Sequence, residues 1–361
     1  MSIFFVPQTE DGVGSGRNTG AMPVNLELSS SASSSASSPA GTPAGTSDGG
    51  RIAVRAGTPS GSPDSDLVGQ AHGAAARAAR RAGVTVTDAA GLDELRAVEG
   101  LLVTVWSTSP LAPPLPSDLL RSISHAGCNV TAAYTLDGVL CGAAVAIVSP
   151  GASSMYSLIA GVLPGLADAG VGFALKQYQR AWALARGIDA MTWTFDPLVS
   201  RNARFNLTKL GAHAEEYLEN FYGPMDDGIN ANDESDRLVA VWPLTSEESR
   251  SCSNGFPAVT DLPAHSPSDV RGLGPDGQPH LIDAGGSLWL RVPTDIVGLR
   301  GQDPALAAAW RVIVRETFNT AFAEGRTARG VTRSGWYRLA ASGEPTTGEP
   351  APGEPRTEGQ S

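Results

Sequence analysis

The 361-residue sequence predicts an α/β (α+β) fold: a mixed, mostly antiparallel sheet flanked by helices and bounded by long disordered tails. Three observations lead there. Two β-prone runs flank Asp137-Gly138, the strongest short-range hairpin signal. Strand-like segments 156–163 and 190–195 bracket a helical pattern at 172–186, which reads as a βαβ crossover. Both ends are built from residues that bury too little apolar surface to offset the entropy of ordering. Every residue of 29–50 except Asp48 is Ser, Ala, Gly, Pro or Thr, and Gly343-Glu344-Pro345 recurs at 348 and 353.

The elements follow in order. A tail over 1–75 precedes a folded region expected at 82–245, which opens with a short strand at 84–86. Leu92, Leu95, Val98, Leu102 and Val105 then recur at three- and four-residue steps, forming one apolar face of a helix that ends near Trp106. Pro113-Pro114-Leu115-Pro116 interrupts the chain, and Ser117 can cap a short second helix through Ile123. Strands 129–136 and 139–148 form the hairpin, and strand 156–163 follows. Its loop leads into helix 172–186, with Gly187 placed to end it. Strand 190–195, helix 200–210 stopped by Gly211, and strands 214–222 and 237–242 complete the region.

Pro257, Pro263, Pro267, Pro275 and Pro279 mark 246–286 as an irregular surface connection. An accessory segment, 287–340, begins with strand 287–292. Asp303 caps a helix whose first residue is Pro304 and whose stripe is Leu306, Trp310, Ile313, Val314, Thr317 and Phe318; strand 336–339 closes it. A piece of this size is marginal alone, so it should pack on the preceding region. Residues 341–361 form the second tail.

Charge and cysteine content exclude several functions. Net charge is −11, from 37 acidic and 26 basic side chains, so there is no footprint for non-specific binding to nucleic acid or an anionic membrane. Cys128, Cys141 and Cys252 are too scattered for a disulfide framework or a thiolate metal site, and no metal is expected. With no secretory leader pattern and no long apolar run, a soluble cytoplasmic protein is expected. A homodimer is left open.

The segment with most chemistry in it is the loop Ala167-Asp168-Ala169-Gly170-Val171-Gly172 between strand and helix. Glycines at such a junction present uncommitted backbone N–H groups at the positive end of a helix dipole, which suits a phosphate. They equally suit a plain tight turn.

The element order, this loop and the following Asn202-Ala203-Arg204-Phe205-Asn206-Leu207-Thr208-Lys209-Leu210-Gly211-Ala212 resemble the GNAT superfamily of acyl-CoA-dependent N-acyltransferases. Trp193-Thr194-Phe195-Asp196-Pro197-Leu198 and Asn220-Phe221-Tyr222-Gly223 look like one bacterial subfamily. The resemblance covers about 84–242 and, less closely, 288–339. It implies acetyl or succinyl transfer from acetyl-CoA or succinyl-CoA to a small-molecule amine or amino acid, by direct attack in a ternary complex. Strand 156–163 would splay from strand 190–195, and the pantetheine arm would pair with backbone groups of Gly161, Val162 and Leu163. N–H groups near Gly161 and Val162 would stabilise the oxyanion, the six-residue loop would hold the pyrophosphate, and Asn202 or Asn206 would bond the arm.

The pattern departs from the family at Ala167, where Arg or Gln is usual, at Asp168, which adds negative charge, and at Leu207, which stands in the position of a tyrosine acid. Asp196 is the candidate general base, or else a cap for the next turn. Tyr222 either relays a proton or packs. Asp227, Asn230 and Arg237 are candidates for acceptor recognition, Arg237 alternatively pairing with Asp236 or Glu234. The other reading of the chain is a catalytically degenerate GNAT-fold module that binds a ligand or partner.

Overall fold

The computed structural model describes residues 3–4, 64–148, 153–223, 233–257 and 260–341. The chain divides into two units, and the one formed by 8–55 lies wholly outside the described residues. The expected tail segments 29–50 and 342–361 lie outside them as well.

After a two-residue strand β1 (Ile3–Phe4), the first long element is α1 (Ser65–Ala82). This corrects the expected tail boundary at residue 75. The segment reads as Ala- and Gly-rich low complexity, yet Ala is the best helix former, and Ala71, Ala74, Ala75 and Ala78 form a buried stripe at helical spacing. Asp64 caps it, accepting from the amides of Asp66 and Leu67.

β2 (Val84–Asp88), α2 (Leu92–Trp106) and α3 (Ser117–His125) follow, then an antiparallel meander of β3 (Asn129–Thr135), β4 (Leu140–Val148) and β5 (Ser154–Val162). The β3–β4 turn sits at Asp137-Gly138, with Gly138 at φ 79°. β4 is apolar almost throughout because both of its faces are covered. Ala143 and Val145 pack under α2 and α3, and Ala144 and Ala146 pack toward α1 and α4 (Val171–Leu184).

β6 (Ala190–Phe195) lies parallel to β5, which completes the crossover. The expected helix at 200–210 is α5 (Ser200–Ala203) continued by a π-helical turn, Arg204–Lys209. β7 (His213–Leu218) and β8 (Arg237–Pro243) pair with each other, and β8 pairs with β6. Strand 214–222 is therefore shorter than expected: Tyr222 lies in the turn beyond it, where Asn220 has φ 43°.

Segment 246–286 is more ordered than its prolines suggest. It contains α6 (Glu247–Ser253), β9 (Val270–Leu273) and β10 (Pro279–Ala284), and β10 pairs with β11 (Ser287–Arg291). The prolines lie between these elements or at the first residue of β10, where they cost no interior ladder bond. α7 (Ile296–Gln302), α8 (Pro304–Ala323), β12 (Thr327–Val331) and β13 (Trp336–Ala340) end the described chain.

Among the described residues thirteen strands join one sheet, β2-β3-β4-β5-β6-β8-β7-β12-β13-β11-β10-β9, with β1 added to β5. The C-terminal segment is thus not merely packed on the first region: β12 pairs with β7 through Ala328 and Ala214 and extends the same sheet. α8 covers this extension. Its Phe318 stacks on Tyr217 at 5.7 Å and meets Tyr337 edge-on at 5.2 Å.

Candidate functional site

The site begins where the sheet opens. β5 and β6 pair only at their starts, Ser154 with Ala190, Met155 with Met191 and Tyr156 with Thr192. On the other edge of β5 the register slips by one residue, from Val145–Ile159 to Ala146–Ser157, so Leu158 is an extra residue on β5. A bulge bends its strand and ends local pairing, and this one lies two residues past the last β5–β6 pair. Nothing in the residue types around Leu158 signals the slip, because it arises from the pairing of two strands rather than from either alone.

Behind the bulge, Lys176 of α4 is fully buried, and its Nζ donates to Ser157 Oγ at 2.6 Å while lying 4.3 Å from the Trp193 ring centroid. Burial pulls its pKa down to about 7. Three hydroxyls line the opening. Tyr156 Oη lies 3.4 Å from Thr194 Oγ1, which is 3.1 Å from Tyr222 Oη. Burial pushes the Tyr156 phenol up to about 12, so it stays protonated at neutral pH. Tyr222 is held by its amide donating to Ser235 Oγ, and the Arg237 guanidinium lies 5.2 Å from its ring centroid.

The open end leads to a cleft of about 300 Å³ between the start of α4 and the helix after β6. Ala167, Asp168, Gly170 and Gly172 form one wall, and Arg201, Arg204 and Lys209 the other, with Arg333 at the rim. Gly170 adopts φ 87°, a left-handed conformation that favours glycine, and the first helical bond runs from the Ala174 amide to its carbonyl. The amides of Val171, Gly172 and Phe173 precede that bond and have no intrahelical acceptor. Asp168 accepts from Arg201 at 2.6 Å, so its charge is balanced locally. Burial and then Arg333 lower the Arg204 pKa; burial and then Arg204 lower that of Lys209, against a smaller opposing pull from Asp168, as expected where cations outnumber carboxylates. Arg201, Arg204 and Lys209 thus bring positive charge to the cleft from the helix that faces the loop. Its signal was present in the sequence as Arg201, Arg204 and Lys209 on one short segment.

Two asparagines of the same segment are buried and do not line the cleft. Asn206 is fully buried and Asn202 nearly so; Asn206 Nδ2 reaches Asn202 Oδ1 at 3.4 Å, leaving Asn206 Oδ1 and Asn202 Nδ2 unpartnered. Such orphaned atoms fit a ligand that carries amide groups.

Several expected residues stand elsewhere in the chemistry. Asp196 is 1% exposed, accepts from Arg311 at 2.8 Å and 3.0 Å, and accepts from Arg300 at 2.7 Å. Burial alone would raise its pKa, but Arg311 and Arg300 hold the carboxyl well below the usual range. A carboxylate so paired is not a general base; it also caps the next turn by accepting from the Leu198 amide. Leu163 is not free for an incoming arm, since its amide donates to the Cys141 carbonyl at 2.9 Å. Strand alternation turns Gly161 the same way and turns Ala160 and Val162 to the opposite edge. Gly161 itself is needed for packing, because a Cβ there would lie 2.7 Å from the Trp106 ring.

Arg237 is buried and donates to the Asp236 carbonyl at 2.7 Å, whereas the carboxylates of Asp236 and Glu234 take Arg315. Leu207 is core, 1% exposed. Asp227 and Asn230 lie outside the described residues. Among the described residues no cluster of His, Cys, Asp or Glu could hold a metal ion, and no helix is long and apolar enough to cross a membrane.

β1 bears directly on the opening. It runs parallel to β5 with Ile3 opposite Ala160 and Phe4 opposite Gly161, along the length of β5 that β6 leaves unpaired.

No family model and no curated protein matches the chain. Solved structures with a similar fold include the ribosomal-protein-S18-alanine N-acetyltransferase from Escherichia coli, 15% identical, covering 45% of this chain and 95% of that one with a TM-score of 0.37. A GNAT superfamily phosphinothricin acetyltransferase from Sinorhizobium meliloti, solved in complex with AcCoA, is 17% identical over 45% of this chain and 88% of its own, with a TM-score of 0.36. An N-acetyltransferase from Staphylococcus aureus Mu50 is 13% identical over 45% and 99%, also with a TM-score of 0.36. Each of these likenesses covers somewhat less than half of this chain.

Proposed function

We propose that the chain is an acyl-CoA-dependent N-acyltransferase acting on a small primary amine or amino acid. The observation that carries this is a juxtaposition: the sheet opens past Tyr156, next to the Leu158 bulge, and the segments that follow β5 and β6 line a cationic cradle at the start of α4. An extended donor with phosphates at one end and a thioester at the other suits that pair of features. When bound, the donor supplies an activated acyl group on a thiol leaving group.

In this reading the chain's own residues hold, orient and move a proton. Val171, Gly172 and Phe173 amides with Arg204 and Lys209 bind the phosphates. Asn202 and Asn206 satisfy their orphaned atoms on the amides of the arm, and Ala160 and Val162 pair with it along the β5 edge. At the apex, the hydroxyls of Tyr222, Thr194 and Tyr156 form a path from the acceptor amine toward the leaving sulfur, Tyr156 serving as the protonated donor. Most of the rate comes from positioning, because the amine attacks directly. β1 and the arm compete for one stretch of β5, so β1 leaves when the donor enters.

The test is a mass-spectrometric assay of acetyl-CoA and succinyl-CoA against a panel of primary amines and amino acids. Acylated product should appear with at least one pair, and Tyr156→Phe should lower turnover by about 10²-fold while leaving donor affinity unchanged. Unchanged turnover in that variant would remove the hydroxyl path from the mechanism.

A further inference from the structure

The cradle is assembled from two segments of the first region and three residues far away in the sequence, Thr294, Thr332 and Arg333, the last two in the turn between β12 and β13. That turn is fixed. The Thr332 amide donates to the Trp336 carbonyl at 2.9 Å, Trp336 N donates back to Thr332 Oγ1 at 3.0 Å, and Thr332 Oγ1 lies 3.1 Å from Ser334 Oγ. Gly335 adopts φ 84°, and a Cβ there would lie 2.8 Å from the Val292 carbonyl oxygen.

The turn is also tied to the opposite wall. Thr208, within the π-helical turn that carries Arg204 and Lys209, donates its hydroxyl to the Val331 carbonyl at 2.9 Å and accepts from the Val331 amide at 2.8 Å. This reciprocal pair is buried and lies two residues before Arg333, so the spacing of the three cations is set by the fold. Arg201 is neutralised by Asp168, whereas among the described residues Arg204, Lys209 and Arg333 form no ion pair. Asp168, the carboxylate among the described lining residues, is taken by Arg201, so Arg204, Lys209 and Arg333 bring positive charge to the cleft in excess of negative, and a polyanion relieves their mutual repulsion.

We infer that the C-terminal segment is part of the donor site: the β12–β13 turn supplies Arg333 as the third cation of a diphosphate-binding cradle, taking the charge that the strand-to-helix loop lacks at Ala167. The inference rests on the proposed function for the identity of the donor, but not for the anion itself. Arg333 acts by binding and selecting a phosphorylated ligand and takes no part in proton transfer.

The experiment uses the full chain and three probes in calorimetric titration: inorganic pyrophosphate, acetyl-CoA and S-acetylpantetheine, which has the arm but no phosphate. In Arg333→Ala, pyrophosphate and acetyl-CoA should each bind about tenfold more weakly, the loss of one charge-assisted contact, and Arg333→Lys should recover part of this. S-acetylpantetheine should bind both proteins equally. Equal weakening of all three probes would show a structural effect of the substitution and overturn the inference, as would unchanged pyrophosphate affinity or no pyrophosphate binding by the unsubstituted chain. Arg333-dependent pyrophosphate binding without any acetyl-CoA binding would uphold the inference while removing the acyltransferase reading.

Discussion

Lys176 illustrates how one residue couples the core to the opening. It is fully buried, donates to the Ser157 hydroxyl, and meets the ring face of Trp193. The arrangement fixes the residue that precedes the bulge, at a cost that depends on pH. With an unfolded pKa of 10.5 and a folded pKa of about 7, the unfolded chain binds more protons between those values, so this group makes stability rise with pH across that window. Below about pH 7 the full penalty applies, on the order of 5 kcal/mol if the Trp193 contact is ignored. Urea unfolding of Lys176→Met should therefore show a stabilised protein at pH 6.5 and a gain that shrinks by pH 9.5; a pH-independent difference would mean that the amine is not desolvated. At this scale the sequence is least informative. A lysine in the middle of a helix reads as solvent-facing, and Asp196 at a strand end reads as available, because neither Trp193 nor Arg311 announces itself as a neighbour. Tyr222 lies with its hydroxyl 3.1 Å from Thr194 Oγ1, a neighbour that the sequence, which left it between proton relay and packing, did not announce.

The elements around the site compete for the same backbone. β5 pairs with β4 from Met155 to Val162, interrupted at Leu158, but with β6 only as far as Tyr156, and β1 takes up part of the remaining edge. Two residues of strand bury little and add few bonds, so β1 is a weak competitor. A chain beginning at residue 8 should bind acetyl-CoA several-fold more tightly than the full chain, because the arm no longer displaces β1. Equal affinities would show that the arm does not use the edge at Ala160 and Gly161. Legibility differs among the elements for physical reasons. The β3–β4 hairpin and α8 carry local signals, Asp137-Gly138 and Asp303-Pro304, and both stand as expected. α1 and β9–β10 carry weak ones: Ala stripes have little hydrophobic contrast, and strands of four to six residues among prolines show no period. The π-helical turn has no local signal; such turns favour functional sites, and this one bears Arg204, Asn206 and Lys209.

At the scale of the molecule, the C-terminal segment and the first region form one body because charges as well as strands cross between them. Arg311 of α8 and Arg300 of α7 grip both Asp196, at the end of β6, and Asp233, while Arg315 takes Asp236 and Glu234. Removing one partner of such a buried group leaves the others uncompensated, so Arg311→Ala should cost about 3–5 kcal/mol in chemical denaturation. A loss below about 1 kcal/mol would place these pairs among ordinary surface contacts. The acidic balance of the whole chain, −11, gives no hint of this arrangement, nor of the basic cleft. Net charge sums over the flanks as well, whereas the cradle depends on Arg204, Lys209 and Arg333 meeting at one place. That meeting depends on the sheet continuing from β7 into β12, a pairing between segments more than a hundred residues apart.

In the proposed function the opening between β5 and β6 and the cradle beyond it form one site for an acyl-CoA. Calorimetric titration of acetyl-CoA into the full chain and into Lys209→Glu tests it most directly, since Lys209 is exposed at the cleft and its replacement leaves the core intact. Binding well below millimolar is expected for the unsubstituted chain, with a loss of at least tenfold on charge reversal, about 1.4 kcal/mol or more. Binding no tighter than millimolar, or equal affinity in both proteins, would contradict it.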